Sequence, residues 1–564
     1  MKHISAILLC AMMPAGVLFA QSQPEDSTLN RTVVVENQYN PEVMDAYKVN
    51  VLPKIEEPAV AKKDIDYAMS VRPLVGWQSA PMELVSNGPV QDKALPGYVR
   101  LSYGNRNNTD IKLSYLWNMT DRDRLDVMGS FYGFNGNVAS LNEGEWDWKS
   151  RFFRTDVSLG YRHRFDKVSL MLGGAFGSQV FNYMPYSASE PGSVLSSAVS
   201  QRYSMGEGYV GIASEENVFP LDFALQTGFR GFGYRHDTRF LPETSQHTVH
   251  TQGFVGGTIN DSQRIDVAFV MDNVMYDAYW KDYTLLQLNP YYTYRTDELN
   301  LRLGAHVDWQ SANGSGIKAA PDVKLDYTFA DSYVVFVHAV GGARLNDFLG
   351  LNEITPYWML YEPLRSTYMY LDATAGLKAS PVTGLKFDLY GGYKFLKDEV
   401  FALPGVGDNY ADLAGTGSSV PDALYTMLGQ GDARVAYVGA GIGYGYRGMF
   451  DFSVAGQYNS WNPEDGADNF LMIKPQFTLD ASVDFKLLDG LHAGIAYQYE
   501  GRVKTDWAER LDPVNNLSVS ATYSFLERLN VFVRFNNLLN KDYITSTGYP
   551  VQGFNVMAGI SCRF

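Results

Sequence analysis

The stretch Phe554-Asn555-Val556-Met557-Ala558-Gly559-Ile560-Ser561-Cys562-Arg563-Phe564 decides how the rest of the chain is read. Phe554, Val556, Ala558, Ile560, Cys562 and Phe564 fall on one side of an extended backbone. Asn555, Met557, Gly559, Ser561 and Arg563 fall on the other. Side chains of a strand point alternately to its two faces, so this is a strand with one apolar and one more polar side.

The same alternation recurs upstream. Leu299, Leu301, Leu303, Ala305 and Val307 alternate with Asn300, Arg302, Gly304, His306 and Asp308. Val323, Leu325, Tyr327 and Phe329 alternate with Lys324, Asp326 and Thr328. Leu385, Phe387 and Leu389 alternate with Lys386, Asp388 and Tyr390. Phe477, Leu479, Ala481, Val483 and Phe485 alternate with Thr478, Asp480, Ser482, Asp484 and Lys486.

Connections alternate in length as well. Asp166-Lys167, Thr296-Asp297, Arg447-Gly448 and Leu526-Glu527 are short. Between such turns lie longer stretches near 136–150, 184–200, 346–365, 398–432, 462–473 and 540–552. Short turns on one rim and long loops on the other are the layout of an outer-membrane barrel. In lipid every backbone polar group must pair internally, so an all-strand chain has to close on itself. The expectation is an all-β protein: an antiparallel transmembrane β-barrel of about 22 strands over 97–564. If the hairpin near 203–213/219–233 is not formed, the count is 20.

Composition agrees. The chain has 564 residues, 46 Lys plus Arg against 62 Asp plus Glu, and a net charge of −16. Nucleic-acid binders present a basic face, which this balance opposes. Two cysteines exclude a disulfide framework. Mean hydropathy is −0.19, and no run of about 20 apolar residues occurs, which excludes spanning helices. Tyr (38), Phe (31) and Gly (52) are abundant, as many strands and turns require.

The N-terminus sets the compartment. Lys2 and His3 precede an apolar stretch, Ile4 to Phe19, and Ala20 offers a small residue at a cut. Residues 1–20 read as a secretory signal peptide. Residues 21–96 carry eight prolines between Pro24 and Pro96 and no long periodic run. They read as a mostly extended periplasmic arm. Thr32, Val33, Val34 and Val35 form a short apolar run there. It could meet a partner as an added edge strand.

Arg302, His306, Asp308, Lys324, Asp326, Lys386, Asp388, Asp480 and Asp484 are expected to face the bore. Their mixed signs fit a solvated wall with cross-strand pairs better than a selectivity path. Trp146, Trp148, Trp280, Tyr357, Trp358, Tyr361 and Trp461 lie in or near loops and read mostly as girdle residues at headgroup level. Gly443-Tyr444-Gly445-Tyr446-Arg447-Gly448 has Gly-x-Gly-x-x-Gly spacing but no helix follows, so it is not read as a nucleotide site. His247 and His250 would point to opposite faces, which argues against a metal pair. His236-Asp237 has no accompanying nucleophile. No catalytic residue, cofactor or metal is expected, and the chain is not read as an enzyme.

The run Leu529-Asn530-Val531-Phe532-Val533-Arg534-Phe535-Asn536-Asn537-Leu538-Leu539-Asn540-Lys541-Asp542-Tyr543 resembles the penultimate strand of TonB-dependent receptors. The stretch Gly553 to Phe564 is similar to their last strand. The Tyr-Lys-Asp and Asn-Asn-Leu punctuation is most similar to receptor-like barrels of Bacteroidetes-type bacteria. The resemblance implies the outer membrane of a Gram-negative bacterium and uptake or porin-like diffusion of a ligand. It implies Phe564 as the terminal aromatic read by the barrel-assembly machinery. Thr32–Val35 is similar to the box that contacts TonB, and a surface lipoprotein is a further implied partner. The departure is the plug: residues 21–96 are short for one. The bore is expected to be closed by the arm with loops 346–365 and 398–432, the alternatives being a partner that fills it and an open pore. The alternative function is a non-transporting structural or assembly component of an outer-membrane complex.

Overall fold

The computed structural model describes residues 95–139, 147–184, 200–215, 218–235, 245–277, 280–330, 332–360, 363–402, 424–464, 474–502, 512–526, 528–546 and 549–564. The signal peptide, the arm to residue 94, Thr32–Val35, His236-Asp237 and residues 403–423 lie outside them.

Among the described residues, 23 strands share one hydrogen-bonded sheet. One of them, Trp358–Met359, pairs in parallel with Thr426 and Met427 and is not part of the wall. The other 22 run antiparallel, each to its neighbour, from Gly97–Gly104 to Asn555–Arg563. These two end strands pair with each other, Tyr98 opposite Arg563 through Gly104 opposite Met557. The sheet therefore has no free edge, which is the condition for residence in lipid. The uncertain hairpin is real: Ser200–Ser214 pairs with Asp222–Tyr234. With strands about 4.8 Å apart and tilted by about 40°, 22 of them make a cylinder roughly 45 Å across.

Most short turns lie on the rim that holds Gly97 and Phe564, the links 105–108 and 311–315 being short ones on the other rim. In one of them Arg447 (φ 50°) and Gly448 (φ 65°) are both left-handed, and Met449 N–H closes on Tyr446 O at 2.9 Å. Two left-handed central residues are the type I′ hairpin turn, whose twist matches that of the strands. This is the end of the Gly-x-Gly-x-x-Gly run, so those glycines serve a strand and its turn.

The register places the faces as the alternation implies. Leu301 stands opposite Leu325, and Val483 opposite Ile495. Leu303, Val337, Ile442, Ile495 and Ile560 are exposed on the outer wall. Trp117, Phe165, Phe329, Tyr446, Phe525 and Phe564 are exposed outward near the short-turn rim. These, not the loop tryptophans, form an aromatic girdle. Phe564 stacks on Tyr115, with ring centroids 6.0 Å apart.

Candidate functional site: the bore wall and its roof

Inward charges are mostly consumed by one another. Arg302 meets Asp322 at 2.5 Å, and Asn289 reaches both Asp322 (3.1 Å) and His306 (3.2 Å). His338 and Asn300 hold Asp326 at 2.9 and 3.2 Å. Lys324 faces Arg302 in the register. A same-face spacing of two residues recurs in Arg124–Asp126 (3.0 Å), Arg154–Asp156 (2.8 Å) and Arg264–Asp266 (2.8 Å). Arg230 pairs with Glu207 across strands at 3.2 Å. The more exposed of these pairs, such as Arg124–Asp126 and Arg154–Asp156, contribute about 0–1 kcal/mol each. Their effect here is to leave no unbroken run of one sign along this part of the wall.

The sequence-assigned charges do not form one site. Arg302, His306, Asp308, Lys324 and Asp326 share the strands Leu299–Gln310 and Gly316–Phe329. Lys386 and Asp388 lie on Leu385–Ala402, and Asp480 and Asp484 on Pro475–Leu488. Asp388 is buried against Lys378 in the register, with Oδ2 unpartnered. Asp484 faces Asp451. Asp322, Asp266 and Arg264 were not singled out from sequence, although the Arg-x-Asp spacing marks one of these pairs. His250 turns inward onto Asp272 at 2.7 Å, whereas His247 stacks on Phe229. Among the described residues no group of three or more metal-ligating side chains occurs.

The long-loop mouth is different in chemistry. Residues between the strands Tyr333–Arg344 and Thr367–Ala379 fold inward and carry the helix Phe348–Ile354. Asp347 caps that helix by accepting the Gly350 N–H at 2.8 Å. Phe348, Leu351, Tyr357, Trp358, Met359 and Leu360 are all buried in one apolar cluster. The cluster takes side chains from walls far apart: Trp148, Phe181, Tyr203 and Phe232 on one side, Val400 and Leu428 on another. Polar contacts fix the position of the loop. Asn352 Nδ2 donates to Gln179 Oε1 (2.9 Å), Phe348 N–H to Gln246 Oε1 (2.7 Å), and Tyr203 OH to Pro356 O.

The crossing is direct. Leu424 N–H bonds Met184 O at 2.8 Å. Met184 follows the fifth wall strand, Val168–Asn182, and Leu424 precedes the sixteenth, Thr426–Tyr446. In a ring of 22 these strands are diametrically opposite. Thr426 N–H also bonds Tyr357 O at 2.9 Å. Tyr549 accepts from Met184 N–H at 3.3 Å and donates to Leu424 O. Its ring lies flat on Tyr357, with centroids 3.5 Å apart. These residues form a roof across the mouth.

The roof corrects the girdle assignment. Trp148 (1% exposed) and Trp358 (3%) are buried in it, and Trp280 and Tyr357 pack there too. Trp461 packs instead on Phe401 and Ala433. Trp146 and Tyr361 fall outside the described residues. Loop aromatics can sit at a headgroup belt or under a lid, and residue type does not separate the two.

Burial also governs the roof's charges. The Asp347 carboxyl is pushed up by desolvation, opposed by the Gly350 N–H and by Arg230. Glu353 is pushed up by the same cause and by Asp347, opposed by Arg154 and Arg230. Desolvation alone raises the Tyr357 phenol. A carboxylate is stabilised by water, so its removal favours the neutral acid.

No protein-family model matches this chain, and no curated protein matches it. Solved structures do. The ferric enterobactin receptor of Pseudomonas aeruginosa matches with a TM-score of 0.62 at 11% identity, over 83% of this chain and 81% of that one. The FrpB iron transporter of Neisseria meningitidis (F5-1 variant) matches with 0.63 at 10%, over 84% and 83%. The copper transporter OprC matches with 0.60 at 12%, over 85% and 82%. At such identities the likeness carries the fold alone, a closed 22-strand antiparallel barrel shared with these receptors and transporters.

Proposed function

We propose that this chain is an outer-membrane uptake barrel that is shut at the cell surface, not a standing diffusion pore. The observation that supports it is the Leu424–Met184 backbone bond joining opposite walls, with the apolar roof around it. A pore for free diffusion needs a wetted mouth, whereas a receptor needs a surface that yields only to its ligand. The neighbours' names mention ferric enterobactin and copper. A metal ion or ferric chelate is therefore the first ligand to offer. In this reading Thr32–Val35 is the contact for TonB, residues 21–96 serve in place of a full plug, and a surface lipoprotein of Bacteroidetes type is a candidate partner.

Planar-bilayer recording tests the proposal. The full chain should be silent. Replacing residues 348–360 by a Gly-Ser linker should yield discrete conductance steps from a barrel that still resists detergent unfolding. A steady open pore from the unaltered chain would remove the reading. The second reading, a sealed component of an envelope complex, is supported by the same closed mouth. It gains if the chain stays silent with every ligand offered and is recovered bound to a fixed partner.

A further inference from the structure

The wall strands Asp147–Arg164, Val168–Asn182, Ser200–Ser214 and Asp222–Tyr234 are neighbours, and the ladders joining them run without a register shift. Their outward faces can therefore be followed by alternation from one rim to the other. Val157, Leu159, Phe176, Val210 and Phe229 are exposed on those faces. Towards the long-loop mouth the same faces change character. Asp147–Arg164 carries Arg151 and Lys149 there, Ser200–Ser214 carries Arg202, and Arg235 follows Asp222–Tyr234. All four cations are exposed.

The backbone beneath them is fixed. Arg235 extends its ladder by one residue, with its N–H on Arg202 O at 3.0 Å. These two arginines stand opposite one another, an arrangement in which like charges are destabilising. Asn182 ties the other pair: its Oδ1 accepts the Arg151 N–H at 2.7 Å, and its Nδ2 donates to Lys149 O at 2.9 Å. Cations elsewhere near this mouth are matched, Arg434 by Glu464 at 2.6 Å and Lys397 by Asp432 at 3.1 Å. Among the described residues no carboxylate pairs with Lys149, Arg151, Arg202 or Arg235. On a chain of net charge −16, such a patch calls for a counter-charge from outside the protein.

Height says where that charge lies. Tilted strands rise about 2.5 Å per residue, so Arg151 stands roughly 35 Å above Phe165 at the short-turn rim. The apolar band of such a barrel is about 25 Å tall. The four cations therefore stand at head-group level, directly over wall that acyl chains cover. Three strand spacings, about 15 Å, separate Arg151 from Arg235, which is wider than one phosphate. Guanidinium groups hold phosphate through paired hydrogen bonds.

We infer that Lys149, Arg151, Arg202 and Arg235 form a binding site for a phosphorylated glycolipid of the outer leaflet. Its phosphates lie on the cations and its acyl chains on the wall beneath, at Val157, Phe176 and Val210. This rests on the outer-membrane placement proposed above and not on uptake.

Native mass spectrometry of the full chain in detergent, titrated with bisphosphorylated lipid A, tests the site. The parent should retain one lipid A. The variant with Lys149→Gln, Arg151→Gln, Arg202→Gln and Arg235→Gln should bind it at least tenfold more weakly while the barrel stays heat-resistant. Dephosphorylated lipid A should bind the parent as weakly as lipid A binds that variant. Arg434→Gln with Lys397→Gln, at the same mouth, should match the parent. Equal retention by parent and fourfold variant would overturn the site, and so would an equal loss in the Arg434 and Lys397 control. Displacement of lipid A by millimolar inorganic phosphate would mean a site for free anions and overturn the lipid. A fourfold variant that keeps lipid A but loses an acidic protein recovered with the parent would overturn it too. Envelope fractionation separates the two readings. A chain absent from the outer-membrane fraction removes the placement, whereas unchanged binding in the fourfold variant removes the lipid site alone.

Discussion

Val483 and Asp484 are neighbours in the chain and opposites in environment. Val483 stands among outward side chains beside Ile495, and Asp484 faces the bore opposite Asp451. Arg at a lipid-facing midplane position costs about 2–4 kcal/mol. Val483→Arg, Leu325→Arg and Leu301→Arg should each lower barrel stability by that order in denaturant titration, while Asp484→Arg should change it little. Equal tolerance of Val483→Arg and Asp484→Arg would mean that the register is off by one. Asp347 gives a pH test. Its folded-state value is raised, so its contribution to the closed roof is present below the ordinary carboxylate range. That contribution is lost as pH rises through the raised value. Protection against hydrogen exchange in residues 348–354, taken relative to the intrinsic rate at each pH, should therefore fall over that interval and be nearly flat with pH in Asp347→Asn, which can still cap the helix.

At the scale of elements, the wall strands were legible in the sequence and the roof was not. Alternation reports a face shared by near neighbours, which is why Asn555 to Phe564 could be assigned residue by residue. The roof joins Met184, Tyr357, Leu424 and Tyr549, and no periodicity links positions so far apart. One signal was available: Tyr357-Trp358-Met359-Leu360 is a solid apolar run inside a connection, and such a run has to be buried somewhere. The bore charges were legible as a class. Their partners, such as Asp322 for Arg302, depend on a register that sequence alone does not fix. Truncating a large buried aromatic costs about 3–5 kcal/mol, so Trp358→Ala should open the mouth to small antibiotics in cells without unfolding the barrel. Tyr549→Phe removes one donor and one acceptor but keeps the ring on Tyr357. Its effect should be smaller, about 1 kcal/mol per bond lost, read as partial loss of roof protection in hydrogen exchange.

For the whole molecule, the arm is joined to the barrel at its first wall strand. Its attachment beside Gly97 gives it a high effective concentration at the short-turn rim. Deleting residues 24–90 in the chain whose residues 348–360 are replaced should raise conductance or antibiotic sensitivity above that of the replacement alone, while the barrel still assembles. Unchanged permeability in the double deletion would mean that the arm does not fill the bore, and Thr32–Val35 would then be better read as a docking strand.

The seam between Gly97–Gly104 and Asn555–Arg563 also dictates timing. Seven residue pairs join segments more than 450 positions apart, so the strand made first waits for the strand made last. Loop closure over such a separation is entropically costly and slow. Until Phe564 has been delivered, two unsatisfied backbone edges exist, and hydrocarbon tolerates neither. Synthesis and insertion must therefore be separate events. On the outer-membrane reading proposed above, the chain has to cross the periplasm unfinished and soluble, and its exposed Tyr- and Phe-rich strands are most vulnerable to self-association during that passage. A chain lacking residues 555–564 should accumulate with periplasmic chaperones or proteases and should not appear as a smaller barrel.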